Sequence, residues 1–401
     1  MASQNIKEFK EKVEKLYDDE ESDFRKKFDA AIRGLTPPTV YPDSDVYKDW
    51  RGATGKTLAE FFVEWYDWGW KQPISDGLKY IRKFSWISYE NAAGLAFVTS
   101  ASGRDVLADF TQLQGRQMDS PDSEKLVLQW IDELGPKRMA DFKKGDWSTL
   151  NKFFIRELKP GKRPIDHPED PSVVTAPTDC IVNMIVDNLA PDTPLPIKAA
   201  VTMSVSRLLD GSEYAEKFIG GTAVSCILMP DTYHRYHAPV GGEVVESRDD
   251  IGGVYYGIRD FPDLLNKGNV GYGYDYSLFE DFRRGYAIIK TPYVDHNGDP
   301  DGEGYVALVP VGLNSIGSVR FRDPFRKITA DSAPVAVKKG DEIGYFQYGG
   351  SLNILLFEEK RFPALQLLLG QRIGVLQEVA HTERHFERYV RPLPGGVAPT
   401  S

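Results

Sequence analysis

The hydrophobic pattern of this chain changes period once, near residue 150, and that switch limits the fold more than any other feature. Before it, apolar residues recur at helical spacing: Ile6, Phe9, Val13 and Leu16, then Leu58, Phe61, Phe62, Trp65 and Trp68, then Leu126, Val127, Trp130, Ile131 and Leu134. After it come short β-branched and aromatic runs broken by Gly, Pro and Asp, clearest at Ile181 to Val186, Val224 to Met229, Ala287 to Lys290, Tyr305 to Val311 and Tyr345 to Phe357. One switch of this kind predicts an α+β protein. The expected division is a helical N-terminal domain over 1–145 and a mainly antiparallel β core over 146–401, with helices only near 203–209 and 260–265.

Composition excludes several classes. With 41% hydrophobic residues, 7 Trp, 21 Phe and 20 Tyr in 401 positions, the chain has ample material for buried cores and is not disordered. A net charge of −10 disfavours nucleic acid and anionic membrane surfaces as partners. Cys180 and Cys226 are too few for a disulfide framework or a cysteine-based zinc site, so both are expected as reduced core thiols. The first ten residues lack an apolar run and no window offers ~20 apolar residues, so a cytoplasmic protein without stable membrane insertion is expected.

Three stretches imitate ligand sites. Gly52-Ala53-Thr54-Gly55-Lys56-Thr57 looks like a phosphate loop, but Trp50 stands where the first glycine belongs and no buried strand precedes it. Asp295-His296-Asn297-Gly298-Asp299-Pro300-Asp301-Gly302-Glu303 looks like a calcium loop but carries Pro300 at its obligatory glycine, so a polar hairpin turn is expected. Arg320, Arg322, Arg326 and Lys327 read as solvated loop charge. The aromatic stripes before residue 145 read as core rather than as a cofactor box.

Two stretches carry chemistry. In Met229-Pro230-Asp231-Thr232-Tyr233-His234-Arg235-Tyr236-His237-Ala238-Pro239, His234 and His237 share a face on a turn and oppose each other on a strand, and polar loop residues or metal ligands are both readings of such a pair. No third ligand lies nearby, so no metal is expected. In Tyr345-Phe346-Gln347-Tyr348-Gly349-Gly350-Ser351-Leu352-Asn353-Ile354-Leu355-Leu356-Phe357, Gly349-Gly350-Ser351 separates two strand-like runs. It is either the turn of a hairpin or a bond placed to break, with Ser351 beside the carbonyl that it would attack.

Asp231-Thr232-Tyr233-His234-Arg235-Tyr236-His237-Ala238-Pro239-Val240-Gly241-Gly242 resembles the Asp-x-Tyr-His-Arg-x-His-x-Pro-x-x-Gly segment of the phosphatidylserine decarboxylase family. Phe153 to Pro164, Ala176-Pro177-Thr178-Asp179, Val311 to Ser318, Lys339 to Phe346 and Gly349-Gly350-Ser351 resemble further segments of that family, in its order. The resemblance implies a pyruvoyl enzyme that makes its own prosthetic group. Ser351 attacks the carbonyl of Gly350, the chain divides into a β subunit of residues 1–350 and an α subunit of residues 351–401 that stay associated, and Ser351 becomes the covalent pyruvoyl group. It also implies His237 as the self-cleavage base, Asp179 as its orienting partner, and His234 as the proton donor in a decarboxylation that runs through a Schiff base. Tyr233, Gly349 and Leu352 are expected beside the substrate.

Leu352 and Cys180 depart from the family's pattern, where Thr or Ser and Gly are usual, and this touches pocket shape more than chemistry. The charged helical region at the N-terminus resembles that of the soluble fungal tryptophan decarboxylases, which implies a free aromatic L-amino acid, tryptophan above all, as the small-molecule substrate; phosphatidylserine is the alternative. Two rivals remain at the level of sequence. One is a Ser-His-Asp hydrolase, although Gly-x-Ser-x-Gly is missing because Asn353 follows Leu352. The other is a non-catalytic scaffold.

Overall fold

The structure, a computed structural model, describes residues 2–35, 48–74, 79–89, 92–189, 204–229, 231–252, 283–313, 319–347, 350–362, 365 and 369. The expected helix at 260–265 falls outside them.

The N-terminal half is helical: α1 Ala2–Asp18, α2 Asp23–Arg33, α3 Gly55–Trp68, α4 Lys79–Tyr89, α5 Ala92–Val98, α6 Ala101–Asp119, α7 Glu124–Met139 and α8 Leu150–Phe154. Local chemistry sets the ends. Ser22 caps α2 by accepting from the Arg25 amide. Thr54 and Thr57 form a reciprocal capping box at the start of α3, so the stretch that imitates a phosphate loop is a helix start. Gly135, at φ 73°, breaks α7, and Pro136 opens the turn that follows. The sequence pattern ends the helix at this pair, whereas the chain resumes it for one more turn.

Among the described residues ten strands follow: β1 Ile181–Asp187, β2 Thr222–Leu228, β3 Arg235–His237, β4 Gly242–Ile251, β5 Arg284–Val294, β6 Pro300–Leu313, β7 Val319–Phe321, β8 Val335–Val337, β9 Glu342–Phe346 and β10 Gly350–Phe357, with a short helix α9 Val205–Leu208 between β1 and β2. Seven make one sheet in the order β1-β2-β10-β6-β5-β4-β8, and β3-β9-β7 make a small second sheet. Every pairing is antiparallel. The fold is therefore α+β, with helices first and antiparallel sheets after.

The run from Tyr345 to Phe357 is not a hairpin. β9 pairs with β3 and β7, while β10 pairs with β2 and β6, so the chain changes sheets between Phe346 and Gly350. The polar stretch at 295–303 is the hairpin turn of residues 295–299 between β5 and β6 together with the start of β6, the turn being closed by the Asp295 carboxylate, which accepts from the amides of Asn297 and Asp299.

β10 is buried on both faces, and its alternation divides the interior. Leu352, Ile354 and Leu356 join Ile227, Val309 and Val311 in a cluster continuous with the helical aromatics, where Phe62 packs on Phe110 at 4.6 Å and Trp50 on Phe61 at 4.8 Å. Leu355 and Phe357 lie on the other face with Cys226, Leu228, Leu308 and the small sheet's Tyr236, Ile343 and Phe346. A third cluster joins α6, α7 and α8 through Met118, Trp130, Phe153 and Phe154. The helices thus pack directly on the sheet that holds β10.

Candidate active site

Ser351 is the second residue of β10, fully buried, between Leu228 of β2 and Gly312 of β6. By strand alternation it shares a face with Asn353 and Leu355, toward the small sheet. Gly312 contributes no side chain opposite it.

The ring facing Ser351 belongs to His234. Its Nδ1 lies 3.4 Å from Ser351 Oγ, long for a hydrogen bond but within the looseness of catalytic contacts before substrate is bound. Two neighbours fix the imidazole. It stacks on Phe154 of α8, with centroids 3.8 Å apart and planes inclined by 20°, and the His234 carbonyl accepts from the Phe346 amide at 2.9 Å, one step beyond the Arg235–Tyr345 pairing of β3 with β9. Because β9 leads to Gly350, this pairing brings the histidine loop to the start of β10.

His237 stands apart from Ser351 in its bonding. Its Nδ1 donates to the Gly340 carbonyl at 2.8 Å, which leaves Nε2 to accept from the Tyr233 hydroxyl at 2.9 Å. Burial lowers the His237 pKa, against the opposing pull of the Gly340 carbonyl and Glu342, so the ring is neutral at neutral pH. Burial likewise raises the Tyr233 phenol, which keeps it a donor.

The expected bond from Asp179 to His237 is not formed in this structure. Asp179 instead accepts both forks of Arg163, at 2.8 Å from Nε and 2.7 Å from Nη2, and Arg163 reaches Asp141 at 3.0 Å. A bidentate guanidinium is the stronger partner for a carboxylate, and the Gly340 carbonyl already fills the place on Nδ1. Asp179 remains near His237 through the backbone: the His237 amide donates to Pro177 at 2.8 Å, and Thr178 Oγ1 donates to the Tyr233 carbonyl at 3.1 Å.

Leu352 points to the helix-side cluster, on the face of β10 opposite Ser351, so it does not border the space around Oγ. Gly350 opens β10 opposite Leu313, and Gly349 lies outside the described residues. In the basic cluster Arg322 pairs with Glu342 at 2.6 Å and Arg326 with Asp249 at 3.5 Å.

Sequence reasoning missed three residues here, two of which hold the arrangement. Buried Arg156 donates through Nη2 to the carbonyls of Asp231 and Thr232 at 2.8 and 2.9 Å, tying α8 to the loop that carries His234. Arg235 makes a similar tie, to the Ile155 carbonyl at 2.8 Å and to Glu342 at 2.7 Å. The third is Asn353. Both arginines were visible in the two stretches that carry the family resemblance, and the signal was a charged residue inside an otherwise apolar run.

The phosphatidylserine decarboxylase family matches residues 150–381, which hold Arg156, Asp179, Tyr233, His234, His237 and Ser351. The chain belongs to the phosphatidylserine decarboxylase family. It is 32% identical over 284 residues to the phosphatidylserine decarboxylase proenzyme of Clostridium perfringens, covering 71% of this chain and 84% of that protein. It is 32% identical over 307 residues to the proenzyme of Clostridium novyi, covering 72% and 91%. A third relative, phosphatidylserine decarboxylase proenzyme 2 of Oryza sativa, is 30% identical over 274 residues, covering 68% of this chain and 39% of the relative. As a member of this family the protein is a pyruvoyl-dependent carboxy-lyase, with a covalent prosthetic group formed from a serine by self-cleavage. The residues around Ser351 fit such a group: a glycine precedes the serine, water is excluded, an imidazole meets the hydroxyl, and a buried amide nearby has polar atoms to spare.

Proposed function

We propose that this protein cleaves itself between Gly350 and Ser351 and then decarboxylates phosphatidylserine. The observation that carries the reading is the Ser351–His234 contact at a buried junction between two sheets, in a chain of this family. Ser351 Oγ forms an ester with the Gly350 carbonyl as the amide C–N bond breaks; elimination releases the Gly350 carboxylate, and water replaces the freed nitrogen, which leaves as ammonia. The resulting pyruvoyl group supplies the electron sink for loss of carbon dioxide.

The chain's own residues supply protons and order. His237 is the base for self-cleavage: neutral, with its Nε2 lone pair on the Tyr233 hydroxyl, it takes the serine proton through Tyr233. Pro177 and Thr178, beside Asp179, orient this assembly, the first accepting from the His237 amide and the second donating through Oγ1 to the Tyr233 carbonyl. His234, beside residue 351, returns a proton to the carbon that lost its carboxylate. The 3.4 Å contact favours a second reading, in which His234 is also the self-cleavage base. Two variants separate them. His237→Ala should leave the chain whole, and His234→Ala should cut but not turn over. A whole chain in His234→Ala with normal cutting in His237→Ala would make His234 the base.

Phosphatidylserine, rather than a free aromatic amino acid, is the substrate that the relatives support, since those compared carry the decarboxylase name for that lipid. Among the described residues no helix is long and apolar enough to cross a membrane, so the lipid would be reached from the bilayer surface. A cytoplasmic location is part of the same proposal, resting on two free cysteines. The cleaved protein is to be offered phosphatidylserine vesicles and, separately, free L-tryptophan. Phosphatidylethanolamine from the first is expected; tryptamine alone would overturn this substrate.

The lowered His237 pKa gives a pH prediction. A neutral ring is retained down through the ordinary imidazole value of about 6.5, so self-cleavage of freshly refolded chain should hold from about pH 8 to 6.5 and fall only below it. Because the unfolded ring binds its proton first, stability also drops as the pH falls below that value. A loss of cleavage already centred above about pH 7 would contradict the assignment.

A further inference from the structure

We infer that Asn353 is a substrate-binding residue, whose carboxamide Nδ2 donates to the carboxylate that the substrate loses; this rests on the pyruvoyl reading above. Asn353 is fully buried in a strand otherwise made of Leu, Ile and Phe after Ser351, and neither its Oδ1 nor its Nδ2 has a hydrogen-bond partner. A buried amide with both polar atoms unpaired destabilises the free protein, so its presence in the centre of the sheet calls for a ligand.

Its position identifies that ligand. Asn353 follows Ser351 by two residues, one repeat of the pleat or about 7 Å along the same face of β10. Its cross-strand neighbours are Cys226 of β2 and Pro310 of β6, and the latter offers no side-chain donor or acceptor. Opposite Ser351 stands Gly312, so the space between Asn353 and residue 351 is not filled from β6. A substrate amine held at residue 351 puts its α-carboxylate on this face.

Charge explains why an amide suits the place. The carboxylate must surrender its electrons as carbon dioxide leaves, and a guanidinium would stabilise the charged ground state against that change. A neutral donor orients the group without holding its charge. Arg163 is held by Asp179 and Asp141, and Arg156 is tied through Nη2 to the loop carbonyls, its Nε and Nη1 being buried without a partner.

The test uses full-length Asn353→Leu and Asn353→Asp beside the wild type, with three readouts. Denaturing mass spectrometry reports self-cleavage, thermal unfolding reports stability, and carbon dioxide release from phosphatidylserine vesicles reports kcat and KM. Asn353→Leu should cleave normally and unfold at the same or a higher temperature, yet lose about 10- to 100-fold in kcat/KM, as for one buried hydrogen bond. Asn353→Asp should lose more at neutral pH and recover part of it on acidification, when the new carboxyl becomes a donor. Wild-type kcat/KM in Asn353→Leu, or arrest of that variant before cleavage, would overturn the inference. A wild-type chain that neither cuts nor releases carbon dioxide would instead defeat the pyruvoyl reading on which it rests.

Discussion

Replacing Ser351 by alanine is expected to leave the chain whole at its full 45.1 kDa and to remove decarboxylation down to the background rate. Without Oγ there is no attack on Gly350 and no prosthetic group, so this single oxygen carries both functions. Folding should survive. The oxygen makes one long contact, to His234, and its loss from a buried site costs about 1 kcal/mol. The unfolding temperature should therefore change by only a few degrees. Residual decarboxylation in the uncut variant would mean that another group is the electron sink.

The second large effect is expected at Arg156, well outside the reacting atoms. Its guanidinium lies over Phe142 and Phe153, at 4.3 and 4.9 Å from the ring centroids, and burial pulls its pKa down to about 10, so it is charged at neutral pH. Nη2 is the clamp on the carbonyls of Asp231 and Thr232, while Arg138 holds the Asp231 carboxylate at 2.8 Å. Arg156→Met keeps the stacked volume but leaves both carbonyls without this donor. The expected cost is about 3 kcal/mol, read from the denaturant midpoint, with self-cleavage slowed about tenfold or more because the loop placing His234 is released. Unchanged cleavage would show that α8 and the loop are positioned by other contacts. Arg156→Lys should not rescue it fully, since a point ammonium cannot reproduce the planar fork.

Much of the fold was legible because burial and period agree. β1, β2, β5 and β6 announce themselves by apolar runs, and the helical stripes of α1, α3 and α7 by their spacing. β4 did not, since Glu243, Glu246, Arg248, Asp249 and Asp250 give it the look of a loop. Its place next to the edge strand β8 allows these charges an outlet to solvent. The hairpin reading of Tyr345 to Phe357 fails for a different reason. Both strands were visible, but pairing is a long-range property, and nothing local tells a hairpin from a crossing between sheets.

The site shows the same division. Its members were named from the resemblance to a family, while the geometry depends on which elements meet. His234 reaches Ser351 because β3 pairs with β9 in one register, a fact no window of sequence contains. Asp179 and Arg163 each stood in a recognised stretch, and only folding joins them. Leu352 was placed at the substrate by adjacency to Ser351, and the pleat turned it the other way. Asn353 was legible in principle: an amide in a strand of uninterrupted apolar residues is the local conflict that marks function.

The central claim is that the chain ends at Gly350 and restarts at residue 351. The architecture suits such a break, since β10 lies between β2 and β6, paired along its length and buried on both faces, so the fragment it opens stays bound after cutting. A denaturing mass spectrum of the purified protein tests this most directly. Two chains are expected, residues 1–350 and residues 351–401, the shorter lacking a free amino terminus and gaining mass with a carbonyl-reactive hydrazine. A single unreactive 45.1 kDa chain with full decarboxylase activity would contradict it.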